Sequence, residues 1–178
     1  MKTRKLIMMI CVAMAATSFT AKAQDGGNLD LSSPAINTAS YSTAIGLRAG
    51  ETSGLTIKQF ISSRSALEGI LGIWPNALSG TLLYERYAST GVNGLSWYYG
   101  GGGHAAFQTT RVYYYPDRYY YYRRGDIGLG VDGILGIEYK IPPIPFAISL
   151  DVKPFIEANT AGGIYTSLDP GLGIKVTF

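Results

Sequence analysis

The sequence predicts an all-β fold, an eight-stranded antiparallel transmembrane β-barrel, and three observations predict it. Apolar and polar residues alternate at period two in eight separate segments, the pattern of strands with two unlike faces. The polar face holds Gly, Ala and Ser with single charges of both signs, rather than the Lys/Glu fringe of a strand in water. The apolar face recurs in every segment and is flanked by Tyr41, Trp74, Tyr84, Trp97, Tyr98, Tyr99 and Tyr139, in the manner of the aromatic girdles of a membrane barrel. Closure matters because an unpaired strand edge cannot be satisfied in hydrocarbon.

In chain order, the first element is an export label. Met1-Lys2-Thr3-Arg4-Lys5 is basic, Leu6 to Ala16 is apolar, and Ala21-Lys22-Ala23 has small residues at both key positions. That layout predicts a signal peptide cleaved before Gln24; an apolar run of about 11 residues is too short for a membrane helix, which needs about 20. Residues 1–23 are thus the signal peptide, 24–38 a short periplasmic segment and 39–178 the barrel. Loss of Lys2, Arg4, Lys5 and Lys22 takes the basic residues from 15 to 11 against 12 acidic ones. The basic balance therefore belongs to the export label and gives no reason to expect nucleic acid. Cys11, the single cysteine, leaves as well, so the mature chain has neither disulfides nor thiol chemistry. Its length suits one domain.

The strands follow. The first, Tyr41 to Ala49, sets Tyr41, Thr43, Ile45 and Leu47 against Ser42, Ala44, Gly46 and Arg48. The second, Leu55 to Ile61, opposes Leu55, Ile57 and Ile61 to Thr56 and Lys58; the third, Ala66 to Ile73, opposes Leu67, Leu71 and Ile73 to Glu68 and Gly72. In the fourth, Leu78 to Tyr87, Leu82 and Tyr84 face away from Thr81 and Glu85. The fifth, Leu95 to Phe107, sets Trp97, Tyr99, Ala105 and Phe107 against Ser96, Gly100, Gly102 and His104. The sixth is the clearest, with Ile127, Leu129, Val131, Leu135, Ile137 and Tyr139 alternating with Gly128, Gly130, Asp132, Gly136 and Glu138. The seventh, Ile144 to Val152, turns Ala147, Ser149, Asp151 and then Lys153 inward, and the eighth, Leu172 to Phe178, turns Gly173, Lys175 and Thr177 inward.

Connections fit a barrel with both termini on the periplasmic side. Ser62-Ser63-Arg64 and Ile141-Pro142-Pro143 are short inner turns, and Ala88 to Gly94 is a longer one. Gln108 to Arg124 and Ala158 to Pro170 are expected as long outer loops, with Trp74 to Ala77 a short outer connection. Short periplasmic turns and longer outer loops are the usual asymmetry. Pro142, Pro143 and Pro145 cluster at one strand boundary, where a missing N–H breaks few ladder bonds.

The last strand, Gly171-Leu172-Gly173-Ile174-Lys175-Val176-Thr177-Phe178, ends on an aromatic preceded by apolar residues at every second position. It resembles the C-terminal signal by which outer-membrane barrels are recognised for assembly. Leu95-Ser96-Trp97-Tyr98-Tyr99-Gly100-Gly101-Gly102 and the segment from Asp132 to Lys140 are similar to small Gram-negative outer-membrane β-barrel proteins of the OmpA-transmembrane and OmpX type, and the likeness covers essentially residues 39–178. The resemblance implies an outer-membrane monomer in contact with outer-membrane lipids and lipopolysaccharide. It also implies delivery by periplasmic chaperones and the barrel-assembly machinery, with Phe178 as the assembly signal. No soluble peptidoglycan-binding domain is expected after Phe178. About activity the resemblance is silent.

Other motifs carry less chemistry than their letters suggest. Gly128-Leu-Gly130-Val-Asp-Gly133 spells a dinucleotide-binding glycine motif, but that motif works only where a helix follows, and here period-two alternation continues to Lys140. His104 is the single histidine; a zinc site needs three or four donors, so no metal or cofactor is expected. It shares its face with Gly100 and Gly102 and is expected as a hydrogen-bonded packing residue. The inward charges, Arg48, Lys58, Lys153 and Lys175 with Glu68, Glu85, Asp132 and Asp151, are expected to neutralise one another, since a lone buried charge is very costly. Eight strands leave an interior just wide enough for side chains. Finally, Arg111, Tyr113, Tyr114, Tyr115, Arg118, Tyr119, Tyr120, Tyr121, Tyr122, Arg123 and Arg124 form a Tyr/Arg-rich loop. Those residue types are enriched at recognition hot spots; tyrosines extending two strands at headgroup level are the plainer account. The expected function is structural or surface-interactive, without catalysis. A narrow porin-family channel is the first alternative and a lipid A-modifying barrel enzyme the second.

Overall fold

Each alternating segment forms one strand in a computed structural model of the chain. The strands are β1 (Thr43–Gly50), β2 (Ser53–Ser62), β3 (Ser65–Trp74), β4 (Ala77–Ser89), β5 (Leu95–Gln108), β6 (Ile127–Ile141), β7 (Phe146–Asn159) and β8 (Ile164–Thr177). The structure describes residues 41–74, 77–108, 126–160 and 162–178. The expected signal peptide, the 24–38 segment, the Tyr/Arg-rich loop and the side chain of Trp74 lie outside the described residues.

Neighbouring strands pair antiparallel in chain order, and β1 pairs antiparallel with β8, so the sheet closes on itself. Its stagger can be followed from Ala44 through Lys58, Glu68, Leu83, Gly102, Asp132 and Phe155 to Ser167, partner to partner. Ala44 itself pairs with Thr177, 10 residues further along β8. A shear of this size on eight strands tilts them by about 40° to the barrel axis.

Period two dictates which side chains go in. Along β4, Ala77, Ser79, Thr81, Leu83, Glu85 and Tyr87 are buried while Leu78, Leu82 and Tyr84 are exposed, Leu82 to 61%. The same parity exposes Ile45, Leu47, Leu71, Leu129, Val131 and Leu172 on the outer wall. Polarity is thus inverted relative to a barrel in water: the outside is apolar and the inside charged. Tyr84, Trp97, Tyr99, Tyr139, Phe146 and Phe178 are all exposed and belong to the half of the barrel that carries the described termini.

Two expected girdle residues point inward instead. Tyr98 has the parity of Gly100 and His104 and is fully buried. Tyr41 precedes β1, so strand alternation does not bind it; its hydroxyl donates to Glu138 and its ring meets Phe60 edge-on at 5.1 Å. A further correction concerns Ala158 to Pro170, which is not a long loop. Ala158 pairs with Ile164, and the turn between them contains Gly162 at φ 86°. Pro154 and Pro170 end neither strand. Pairing of β6 with β7 lapses only between Asp132↔Phe155 and Leu135↔Val152, at Pro154, and resumes in register; a proline has no N–H to give the ladder, while pairing with β8 continues through it. At the other end of β7, Ile144 falls in the turn that precedes Phe146 rather than in the strand.

Candidate functional site

The interior is the candidate site, because there the sequence concentrates its ionisable groups. Among the described residues it holds Arg48, Lys58, Lys153 and Lys175, together with Glu68, Glu85, Asp132, Glu138, Asp151, Glu157 and Asp169, and His104; none is more than 8% exposed. All eight strands contribute. The eight charges expected from the sequence are all inside. Glu138, Glu157 and Asp169 are additional. Glu138 had the right parity in the sixth segment and could have been counted; Asp169 was hidden in the stretch read as loop, and Glu157 fell between the seventh segment and that loop. Acids therefore outnumber bases, where four of each sign were expected.

Two ion-pair networks occupy different heights. Nearer the termini, Lys58 lies 2.9 Å from Glu68, 2.8 Å from Glu85 and 3.5 Å from Glu138. Lys175 reaches Glu68 at 3.1 Å and Glu138 at 3.5 Å. Thr56 donates to Glu68, while Tyr41 and Tyr87 donate to Glu138. The Lys58 ammonium also stands over the faces of Tyr87 and Tyr98, at 5.1 and 4.5 Å from the ring centroids, which suits a desolvated cation.

Nearer the loop end, Arg48 meets Asp151 at 2.7 Å and Asp169 at 3.0 Å. Asp169 also accepts from the Thr52 backbone at 3.1 Å. Lys153 binds Asp132 at 2.9 Å and approaches Asp169 at 3.4 Å. His104 sits between Asp132, 2.8 Å from Nδ1, and Glu157, 3.1 Å from Nε2. Both ring nitrogens are engaged, so neither is open to a metal ion or to a nucleophile's proton. Among the described residues no group of three or more His, Cys, Asp or Glu is arranged to hold a metal ion.

Tyr98 joins the two levels. Its ring stacks on Tyr87 at 5.1 Å and its hydroxyl donates to Asp151 at 3.0 Å. Ile70, Leu83 and Ile134 fill the space around it. Glycines make the bulk possible: a Cβ on Gly136 would lie 2.6 Å from Tyr98 Cζ, and one on Gly130 would lie 2.2 Å from His104 Cε1. The Gly128–Gly133 motif is therefore mid-strand, and Gly130 serves to seat His104. Chemically, this interior can neutralise charge and tie strands together. Comparison with known proteins gives no significant match to a family model, a curated protein or a solved structure.

Proposed function

We propose that the chain is an integral outer-membrane β-barrel protein of a Gram-negative bacterium with a structural or surface-interaction role. The inverted polarity carries this reading. Soluble monomers expose apolar patches of only about a few hundred Å², whereas here every strand turns large apolar side chains outward. Hydrocarbon satisfies such a wall, and closure of the sheet leaves few backbone groups wanting partners there. The export label at residues 1–23 and the terminal aromatic strand support delivery to the outer membrane. A lumen filled by side chains favours a structural role over a channel. The surface-interaction part rests on the tyrosines and arginines of residues 111–124, whose types are common in binding surfaces.

The test is refolding with and without detergent. Folding should require micelles or lipid and give a heat-modifiable band on gels, with no unitary conductance in planar bilayers. A monodisperse β-protein in detergent-free buffer would overturn the membrane reading, and steady conductance would replace the structural role with the channel.

A further inference from the structure

The network nearer the termini does not balance. Lys58 and Lys175 supply two positive charges, and Glu68, Glu85 and Glu138 three negative ones. Every member is at most 3% exposed. Among the described residues, the other ionisable groups facing it are the phenols of Tyr41, Tyr87 and Tyr98. Arg48 is committed to Asp151 and Asp169. Arg64 and Arg86 are exposed, and Lys140 donates to the carbonyls of Ile141 and Ile144. One surplus carboxylate charge, out of water, is strongly unfavourable unless something neutralises it.

The three carboxyls are not equivalent. Glu68 has two lysines and the Thr56 hydroxyl. Glu138 has two lysines and the hydroxyls of Tyr41 and Tyr87. Among the described residues Glu85 has a single ion pair, with Lys58, and stands beside the like-charged Glu68 carboxylate; neither of its oxygens meets a donor in hydrogen-bond geometry although the residue is 0% exposed. A carboxylate with the fewest donors is the one that gains most from becoming neutral.

We propose that this cluster is a binding site for one proton, carried by Glu85, so that Glu85 is a neutral carboxyl in the folded barrel at neutral pH. The proton brings the network to two charges of each sign. The alternative occupant of the same charge is an alkali metal ion, which the experiment separates. The full chain is refolded in micelles at neutral pH and its infrared spectrum compared with that of Glu85→Gln. The parent should show the carbonyl stretch of a protonated carboxyl, and Glu85→Gln should lose it. Glu51→Gln, at an exposed carboxylate of the loop end, should keep it. Because Gln matches the size and neutrality of the protonated acid, Glu85→Gln should refold and melt at the parent's Tm. Absence of the band in the parent overturns the proposal. So does its survival in Glu85→Gln, or failure of that variant to fold. A Tm that depends on sodium rather than choline, with no such band, assigns the site to a metal ion instead.

Discussion

Arg48 on the first strand holds Asp169 on the last at 3.0 Å, across the seam that closes the barrel. The same guanidinium reaches Asp151 on β7 at 2.7 Å and donates to the backbone carbonyls of Thr52 and Asp169. A planar fork with several donors suits this position better than an ammonium could. Replacing Arg48 by Ala takes the closest cation from two buried carboxylates and should cost about 3–5 kcal/mol, read from urea unfolding in micelles. Arg48→Lys should recover only part of that. A parent-like midpoint for Arg48→Ala would mean that water reaches the loop-side network.

Tyr98 and Gly136 form a second dependent pair. Gly136→Ala places a methyl 2.6 Å from Tyr98 Cζ, so the ring must leave its stack on Tyr87 or its bond to Asp151. Overpacking of this kind should cost about 1–3 kcal/mol. In a Tyr98→Ala background the same substitution should cost much less, a non-additivity that a double-mutant cycle measures directly. Additive penalties would show that the glycine is needed for something other than the ring.

The outer wall gives a third expectation. Leu82 is outward on β4 and 61% exposed, a position at which charge is harmless in water and harmful in hydrocarbon. Leu82→Arg should destabilise the barrel folded into vesicles by about 2–4 kcal/mol if the position lies near the midplane, with Leu82→Ala costing less. Equal, negligible effects of both would put that face in water.

For Phe178, side chain and backbone can be separated. The ring is 67% exposed, while the backbone carbonyl accepts from Ser42 and Thr43 and the N–H donates to Thr43. Deleting the residue would remove that clasp along with the ring, so Phe178→Ala is the cleaner variant. It should cost less than about 1.5 kcal/mol in refolding, since the ring is not fully buried. Yield in the outer membrane of cells should fall much further if the terminal aromatic is read during assembly. Small, equal losses in both would make the residue ordinary wall.

The eight strands were legible because parity is a strong signal: one face of each segment is apolar along the barrel wall. The inward position of Arg48, Lys58, Glu68, Glu85, Asp132, Asp151, Lys153 and Lys175 followed from the same rule. Legibility failed where parity was interrupted or absent. The seventh segment was ended just before Pro154 and Pro170 was read as a loop residue, which hid Glu157 and Asp169, because sequence alone does not say that a strand continues through a proline. Tyr41 lay just before β1, beyond the reach of alternation. Tyr98 had inward parity, and its aromatic character argued for the girdle; what decided the matter was Gly136 on the neighbouring strand, a pairing that no single segment reveals. Nor does a segment-by-segment reading show which acid meets which base, since Lys58 and Glu138 are brought together from strands that are not neighbours.

Every strand sends at least one polar or ionic side chain to the shared interior, and a residue's side of the wall is set by whether its position in the strand is odd or even. The chain therefore tolerates changes of length by a parity law. One residue inserted within β7 would turn Asp151, Lys153 and Glu157 outward or throw β8 out of register with them, whereas two residues would leave each on its own side. Turns such as 90–94 are free of that constraint. Descendants of this sequence should thus vary in strand length by even steps and in turn length by any step, a signature that can be sought by counting alone.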